Sequence, residues 1–195
     1  VAEAEMERAL AAELFDANRM GLDFVMAGSI TTIDPTPDAG TGQVDPRALA
    51  IKGLCAGVAG NPGLRLAGHL NVMYVLEDEW GYDTTVYGYA CVDEGFPDII
   101  FIRQQHAPAT LAHEIGHALS LRHAGVGFVM GLYGWTDDNV MQSSAFNPGT
   151  TRTTEHFSLG QAFRANFHIQ SWLNTSGVRS GHTKACQLTN PTDKV

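Results

Sequence analysis

The sequence predicts an α+β fold, and three observations predict it. A stretch with apolar residues at helical spacing lies at 2–20. Short segments rich in β-formers or alternating in polarity follow at 22–30, 69–76, 84–91 and 99–102. Two further helical segments lie near 108–120 and 158–174. With 195 residues the chain is long enough to bury a core, and it reads as one domain over 1–195.

In the first helix Met6, Leu10, Leu14 and Ala17 form the apolar face, Glu3, Glu5, Glu7 and Arg8 crowd its start, and Gly21 ends it. The segment 22–30 reads as a strand from its β-forming composition. Residues 34–68 are rich in Pro, Gly and Asp (Asp34-Pro35-Thr36-Pro37, Gly60-Asn61-Pro62-Gly63), which predicts loops around one short helical piece near 46–54. This stretch does not separate domains, because the sheet must continue beyond it. Residues 69–76 alternate as a strand, and 84–91 is a second candidate containing Gly88. A glycine in an edge strand permits close backbone approach, or else marks a bulge. Ile99-Ile100-Phe101-Ile102 reads as a buried strand.

Pro108 suits the first turn of the next helix, whose core face is Leu111, Ile115, Ala118 and Leu119. Residues 126–135 are apolar and glycine-rich, free to wrap, with aromatics that the core covers by default. Residues 142–154 are rich in turn formers. Ser158-Leu159-Gly160-Gln161 is a capping box opening a helix through about Asn174, with Leu159, Phe163, Phe167 and Ile169 available to pack. The tail from Thr175 is polar and expected to be loosely held, apart from Cys186.

Lys and Arg number 12 against 21 Asp and Glu, a formal charge of -9, which disfavours nucleic acid and anionic membrane surfaces as partners. The longest strongly apolar runs fall far short of the ~20 residues that span a bilayer, so no membrane segment is expected. No basic-then-apolar leader is present, and any signal or pro-segment is expected to have been removed or to lie outside this sequence. There is no internal repeat, phosphate-cradling glycine loop or basic stripe. Cys55, Cys91 and Cys186 are an odd set: in an exported protein two would pair, and in a cytosolic one all three would be small core residues. Acidic clusters at Glu77-Asp78-Glu79 and Asp93-Glu94 raise Ca2+ as a possible ligand, but they lack fixed ligand spacing and read as solvated loops.

The chemistry concentrates in Leu111-Ala112-His113-Glu114-Ile115-Gly116-His117-Ala118-Leu119-Ser120-Leu121-Arg122-His123. Residues four apart lie on one helix face, so His113 and His117 can both point a ring nitrogen at one zinc ion, at about 2.0–2.1 Å. Glu114 lies one position round, close to the metal but not aimed at it, where a base acting on a water at the metal belongs. Were the helix to continue, His123 would lie roughly 15 Å along the axis from His113, outside any coordination sphere. The helix must therefore stop near Ser120 and the chain turn back. With 8 His in the chain, a chance His-Glu-x-x-His is on the order of one in a hundred, and the third His makes it roughly one in a thousand, so coincidence is a weak explanation. A closed structural zinc site is disfavoured because no Cys lies near. His69 and His106 have no ligand spacing and read as surface or core histidines.

His-Glu-x-x-His with a third His six residues on resembles the metzincin metalloproteases, whose pattern has Gly where this chain has Ser120. Glycine tolerates positive φ at that exit, so Ser120 either accepts the strain or leaves the helix without positive φ. The family's second mark is a methionine in a tight turn beneath the metal, matched by Met141 in Asn139-Val140-Met141-Gln142-Ser143. Members with a tyrosine ligand carry it two residues past that Met; Ser143 stands there, so the chain is similar to the matrixin-like or pappalysin-like arrangement.

The resemblance spans roughly 69–173, with its specific part at 113–123 and Met141. It implies a metzincin-like catalytic domain: a mixed sheet with a backing helix and an active-site helix above a cleft (upper lobe about 1–123), and an irregular lower lobe (about 124–195) with a C-terminal helix. The first strand that usually precedes the family's backing helix has no counterpart here. It implies one catalytic Zn2+ on His113, His117 and His123 with an open position, and Glu114 as general base. Met141 packs beneath the ligands without chemistry. The implied activity is that of a secreted or extracytoplasmic metalloendopeptidase, with a protein or peptide substrate paired to an edge strand and its leaving-group side walled by the residues after Met141. Residues 142–151 carry no charge, which predicts an apolar pocket there unless Arg152 reaches in. The alternative is a non-catalytic zinc-containing binding or inhibitory module; retention of Glu114 favours turnover. The oligomeric state is open.

Overall fold

In a computed structural model of the chain, the described residues are 2–17, 20, 22, 24–28, 51–75, 86–104, 106–107, 109–124, 139–142 and 156–176. They form a mixed α+β arrangement in the order α1 (Ala2–Ala17), α2 (Ile51–Ala59), β1 (Asn71–Val75), β2 (Gly88–Ala90), β3 (Ile99–Arg103), α3 (Thr110–Ala118), α4 (Leu159–Phe167) and α5 (Trp172–Thr175).

β3 is the middle strand of a three-stranded sheet, parallel to β1 and antiparallel to β2. Its five residues are all buried because helices cover both faces, which is why it reads as an unbroken apolar run. Side chains alternate across the pleat. Ile100 and Ile102 join the main core with Phe15 of α1 and Ile115 of α3, while Ile99 and Phe101 join a second cluster with Cys55 and Val58 of α2. A Cys55–Cys91 disulfide, with 5.8 Å between Cα atoms, ties α2 to the end of β2. Closing a loop of 36 residues in sequence separation is worth about 4 kcal/mol by the chain-entropy account. Of the two readings of the cysteines, pairing is the one found; Cys186 lies outside the described residues.

α1 buries Glu7, Ala11, Leu14 and Phe15, a stripe at helical spacing, and leaves Met6 65% exposed. The expected face was therefore rotated by about one residue, ~100° on a helix. A carboxylate inside is tolerated because Tyr74 donates its hydroxyl to Glu7 Oε2 at 2.9 Å and His106 bonds Oε1. The strand expected over 22–30 is absent among the described residues there. Instead Phe24 packs edge-on against Phe15, 5.1 Å between centroids, and its carbonyl accepts from Arg8. A side chain thus takes a backbone group that a strand would have paired, and β-propensity yields to local packing.

The short helix expected near 46–54 is met by α2, which runs on to Ala59, residues 46–50 lying outside the described residues; of the segment 84–91 only Gly88–Ala90 is strand among the described residues. The helix expected through Asn174 breaks after α4. His168 is extended (φ -68, ψ 135), and the chain resumes helix at α5. The Ser158 capping box is present as read. α4, however, presents Ala162 and Ala165 to the core, and Leu159, Phe163, Phe167 and Ile169 are exposed. Small residues let the helix axis approach closely, and the displaced aromatics pack on each other, with Phe163 and Phe167 rings 4.8 Å apart. No helix among the described residues is long and apolar enough to cross a membrane.

Candidate metal centre

α3 stops at Ala118, as the ligand spacing requires, and ends in a Schellman turn. Ser120 N–H bonds the His117 carbonyl at 2.8 Å, and Leu121 N–H bonds the Gly116 carbonyl at 2.9 Å. Ser120 adopts φ 69, the left-handed conformation that glycine fills without strain. The cost is about 1–2 kcal/mol for a residue with a Cβ. The Ser120 carbonyl accepts from Arg164 Nε at 2.7 Å, and Ser120 Oγ bonds His168 Nδ1 at 2.9 Å. A hydrogen bond from a charged donor alone nets about 1.5–3 kcal/mol, so these contacts outweigh the strain.

The turn brings the three histidines together. Their Nε2 atoms stand 3.1 Å (His113–His117), 3.0 Å (His117–His123) and 3.0 Å (His113–His123) apart. Nitrogens at about 2.0–2.1 Å from one tetrahedral ion would be about 3.3–3.4 Å apart, so the triangle fits zinc to within a few tenths of an ångström. The opposite ring nitrogens are anchored: His113 Nδ1–H donates to the Val140 carbonyl at 2.7 Å and His117 Nδ1–H to the Leu121 carbonyl at 2.8 Å. Donating through Nδ1 leaves the Nε2 lone pair toward the cluster, the tautomer a metal needs. Burial, reinforced by His123, pushes His117 down to about 4, which keeps its ring neutral and able to ligate. Among the described residues these three are the group of metal-ligating side chains that converges; Asp93 and Glu94 are not in it, and Glu77-Asp78-Glu79 lie outside the described residues. His69 is on the surface and His106 is buried against Glu7, so neither contributes.

Met141 is fully buried against the underside of α3. A Cβ on Gly116 would stand 2.3 Å from its Sδ, so the glycine inside the His-Glu-x-x-His motif is what lets sulfur reach the helix backbone. The turn is fastened at several points. Asn139 Oδ1 accepts Met141 N–H at 2.9 Å, Ala124 N–H donates to the Met141 carbonyl at 2.7 Å, and Asn139 shares a reciprocal amide pair with Gln161. Gln161 is also the capping-box residue of α4. The same helix therefore braces both the methionine turn and Ser120.

Glu114 is 6% exposed, beside the histidines and against β2. Cys91 N–H bonds the Ile99 carbonyl and Arg103 N–H the Tyr87 carbonyl. Residues 87, 89 and 91 therefore face β3, and the backbone of Gly88 and Ala90 turns to the other edge. There the Ala90 backbone hydrogen-bonds the Glu114 carboxyl. Burial nonetheless raises that group to about 8 without metal. Gly88 is required by this approach: a Cβ on it would lie 2.7 Å from Glu114 Cγ and 2.9 Å from Thr110 Cγ2.

His113, Glu114, His117, His123 and Met141, the site residues read from the sequence, are thus gathered in one place. Arg164 and His168 gave no spacing signal, since each acts across a long loop; the capping box hinted at Gln161, and Asn139 stood in the methionine-turn segment without a role of its own. The segments 126–135 and 143–151, with Arg152, lie outside the described residues. Compared with protein-family models, curated proteins and solved structures, the chain matches none. Fold and site define an α+β protein with a three-histidine group able to hold a metal ion.

Proposed function

We propose that the protein is a zinc-dependent metalloendopeptidase of metzincin type. The observation that carries this is the convergence of His113, His117 and His123 at 3.0–3.1 Å with the buried Glu114 beside them. Zinc held there would activate a water as nucleophile and polarise the scissile carbonyl. Glu114 accepts the proton of the attacking water and delivers it to the leaving amine. Its elevated pKa in the metal-free chain suits the second role. Positive charge held by the histidines pulls the value down, favouring the carboxylate that the first role needs. The Ala90 hydrogen bond aims the carboxyl, and the outward backbone of Gly88 offers an extended substrate a point on the edge to pair with. Met141 supports the ligands from below and takes no part in the chemistry.

The substrate is a protein or peptide. A secreted or extracytoplasmic location accords with the Cys55–Cys91 disulfide. The alternative, a zinc-containing binding module without turnover, would leave a buried, positioned carboxylate beside the metal without a task. The test is digestion of an unfolded protein. Cleavage that a chelator abolishes and stoichiometric zinc restores supports the proposal; one bound zinc with no cleavage favours the binding module.

A further inference from the structure

Deepening the metal-centre reading above and resting on it, we propose that Arg164 and His168 of the α4 region are positioning residues for the metal: through Ser120 they hold the left-handed turn that returns His123 to His113 and His117. A non-glycine residue persists at positive φ only where its surroundings over-determine it. At Ser120 these two side chains add to the Schellman bonds of the backbone, which close the turn whatever residue stands there. Arg164 Nε donates to the Ser120 carbonyl at 2.7 Å and its Nη2 reaches Ser120 Oγ at 3.4 Å. His168 Nδ1 accepts the Gln170 N–H at 3.2 Å, so the same nitrogen is an acceptor toward Ser120, and the hydroxyl at 2.9 Å is the donor. His168 is fully buried and occupies the extended break after α4. That break is what carries its ring to the turn.

The turn is a lever on two ligands. Leu121, next in the chain, is 3% exposed, and its carbonyl orients His117 through Nδ1. His123 follows two residues later. A rotation at Ser120 therefore misplaces His123 and releases the bond that aims His117. Glycine would hold this conformation by its own freedom; here polar contacts from a helix more than forty residues away do so. The arrangement couples zinc affinity to α4, which a glycine turn would not.

The experiment measures zinc affinity by competition with a chromogenic chelator, and ligand geometry from the visible absorption of the cobalt-substituted protein, under conditions in which every metal-free variant is folded. Ser120→Ala keeps the strain and loses the hydroxyl contacts, and should bind zinc about tenfold more weakly with an altered cobalt spectrum. Ser120→Gly loses strain and contacts together and should stay within about threefold of the parent. His168→Gln should weaken zinc about tenfold in the parent and hardly at all in the Ser120→Gly background, a non-additivity that a merely structural role would not produce. Arg164→Gln, which acts on the carbonyl, should weaken zinc in both backgrounds.

Ser120→Ala matching the parent, or His168→Gln weakening both backgrounds equally, overturns the inference. If His168→Gln fails to fold, the Ser120→Ala and Ser120→Gly pair decides alone. A parent that binds no zinc overturns the metal-centre reading and this inference with it. A parent that binds one zinc and cleaves protein while Ser120→Ala equals it overturns this inference only.

Discussion

Gly88→Ala is the most revealing small perturbation of this molecule. The added Cβ would stand 2.7 Å from Glu114 Cγ, 2.8 Å from Glu114 Oε1 and 2.9 Å from Thr110 Cγ2. Ordinary contact begins at 3.4 Å, so Glu114 Cγ or the strand must withdraw by about 0.7 Å to restore it. Gly88 is not at positive φ, so alanine brings no backbone strain and the effect is steric. Overpacking of this kind costs about 1–3 kcal/mol of stability. The larger effect falls on catalysis: a misplacement of 1 Å costs about 10²-fold, so displacing Glu114 by most of that distance should lower kcat/KM by about 10- to 100-fold. The histidines are untouched, and zinc content should stay at one per chain. The assay is steady-state cleavage of a quenched fluorescent peptide alongside metal analysis. Activity within threefold of the parent would refute the placement of Glu114 as a base pressed against the edge strand.

Three further outcomes are expected. Gly116→Ala drives a Cβ to 2.3 Å from Met141 Sδ and should destabilise the protein by about 1–3 kcal/mol. Met141→Ala in that background should recover part of the loss in urea unfolding, and an additive double variant would separate the two residues. Glu114, raised by burial to about 8 in the metal-free chain, lies above the ~4.3 of an unfolded glutamate. Its contribution to stability is therefore full below about pH 4 and is lost as pH rises toward 8. His117, lowered to about 4, works oppositely, its contribution full above ~6.5 and lost as pH falls toward 4. Glu114→Gln should flatten the decline in Tm of the metal-free protein between about pH 4 and pH 8, and an unchanged slope there would place the titration elsewhere. Cleavage-site profiling should show Leu, Met or Phe enriched just after the cut, since residues 142–151 carry no charge; Asp or Glu there would instead bring Arg152 into the pocket.

The site was legible because most of its information is local. His113 and His117 announce themselves by helical spacing, and His123 forces a turn whose position follows from chain length alone. What was not legible depends on distant partners. Ser120 left two exits open, and the positive φ became definite only with Arg164 and His168 in place. The strand expected at 22–30 is absent among the described residues there, where Arg8 and Phe15 of the first helix take up Phe24. In α4 apolar bulk pointed to the wrong face: Ala162 and Ala165 set the approach, and the large side chains were left outside. Glu7 shows the converse, an acidic residue that lies inside because Tyr74 and His106 await it. The pairing of Cys55 with Cys91 required knowing that α2 lies against the end of β2.

The central claim is that Glu114 performs chemistry beside a metal that it does not bind. It is tested most directly by measuring zinc content and peptide cleavage together in purified Glu114→Ala. The account predicts one zinc per chain, as in the parent, and cleavage reduced by about 10²–10⁴-fold. Loss of the zinc, or cleavage within a few-fold of the parent, would contradict it.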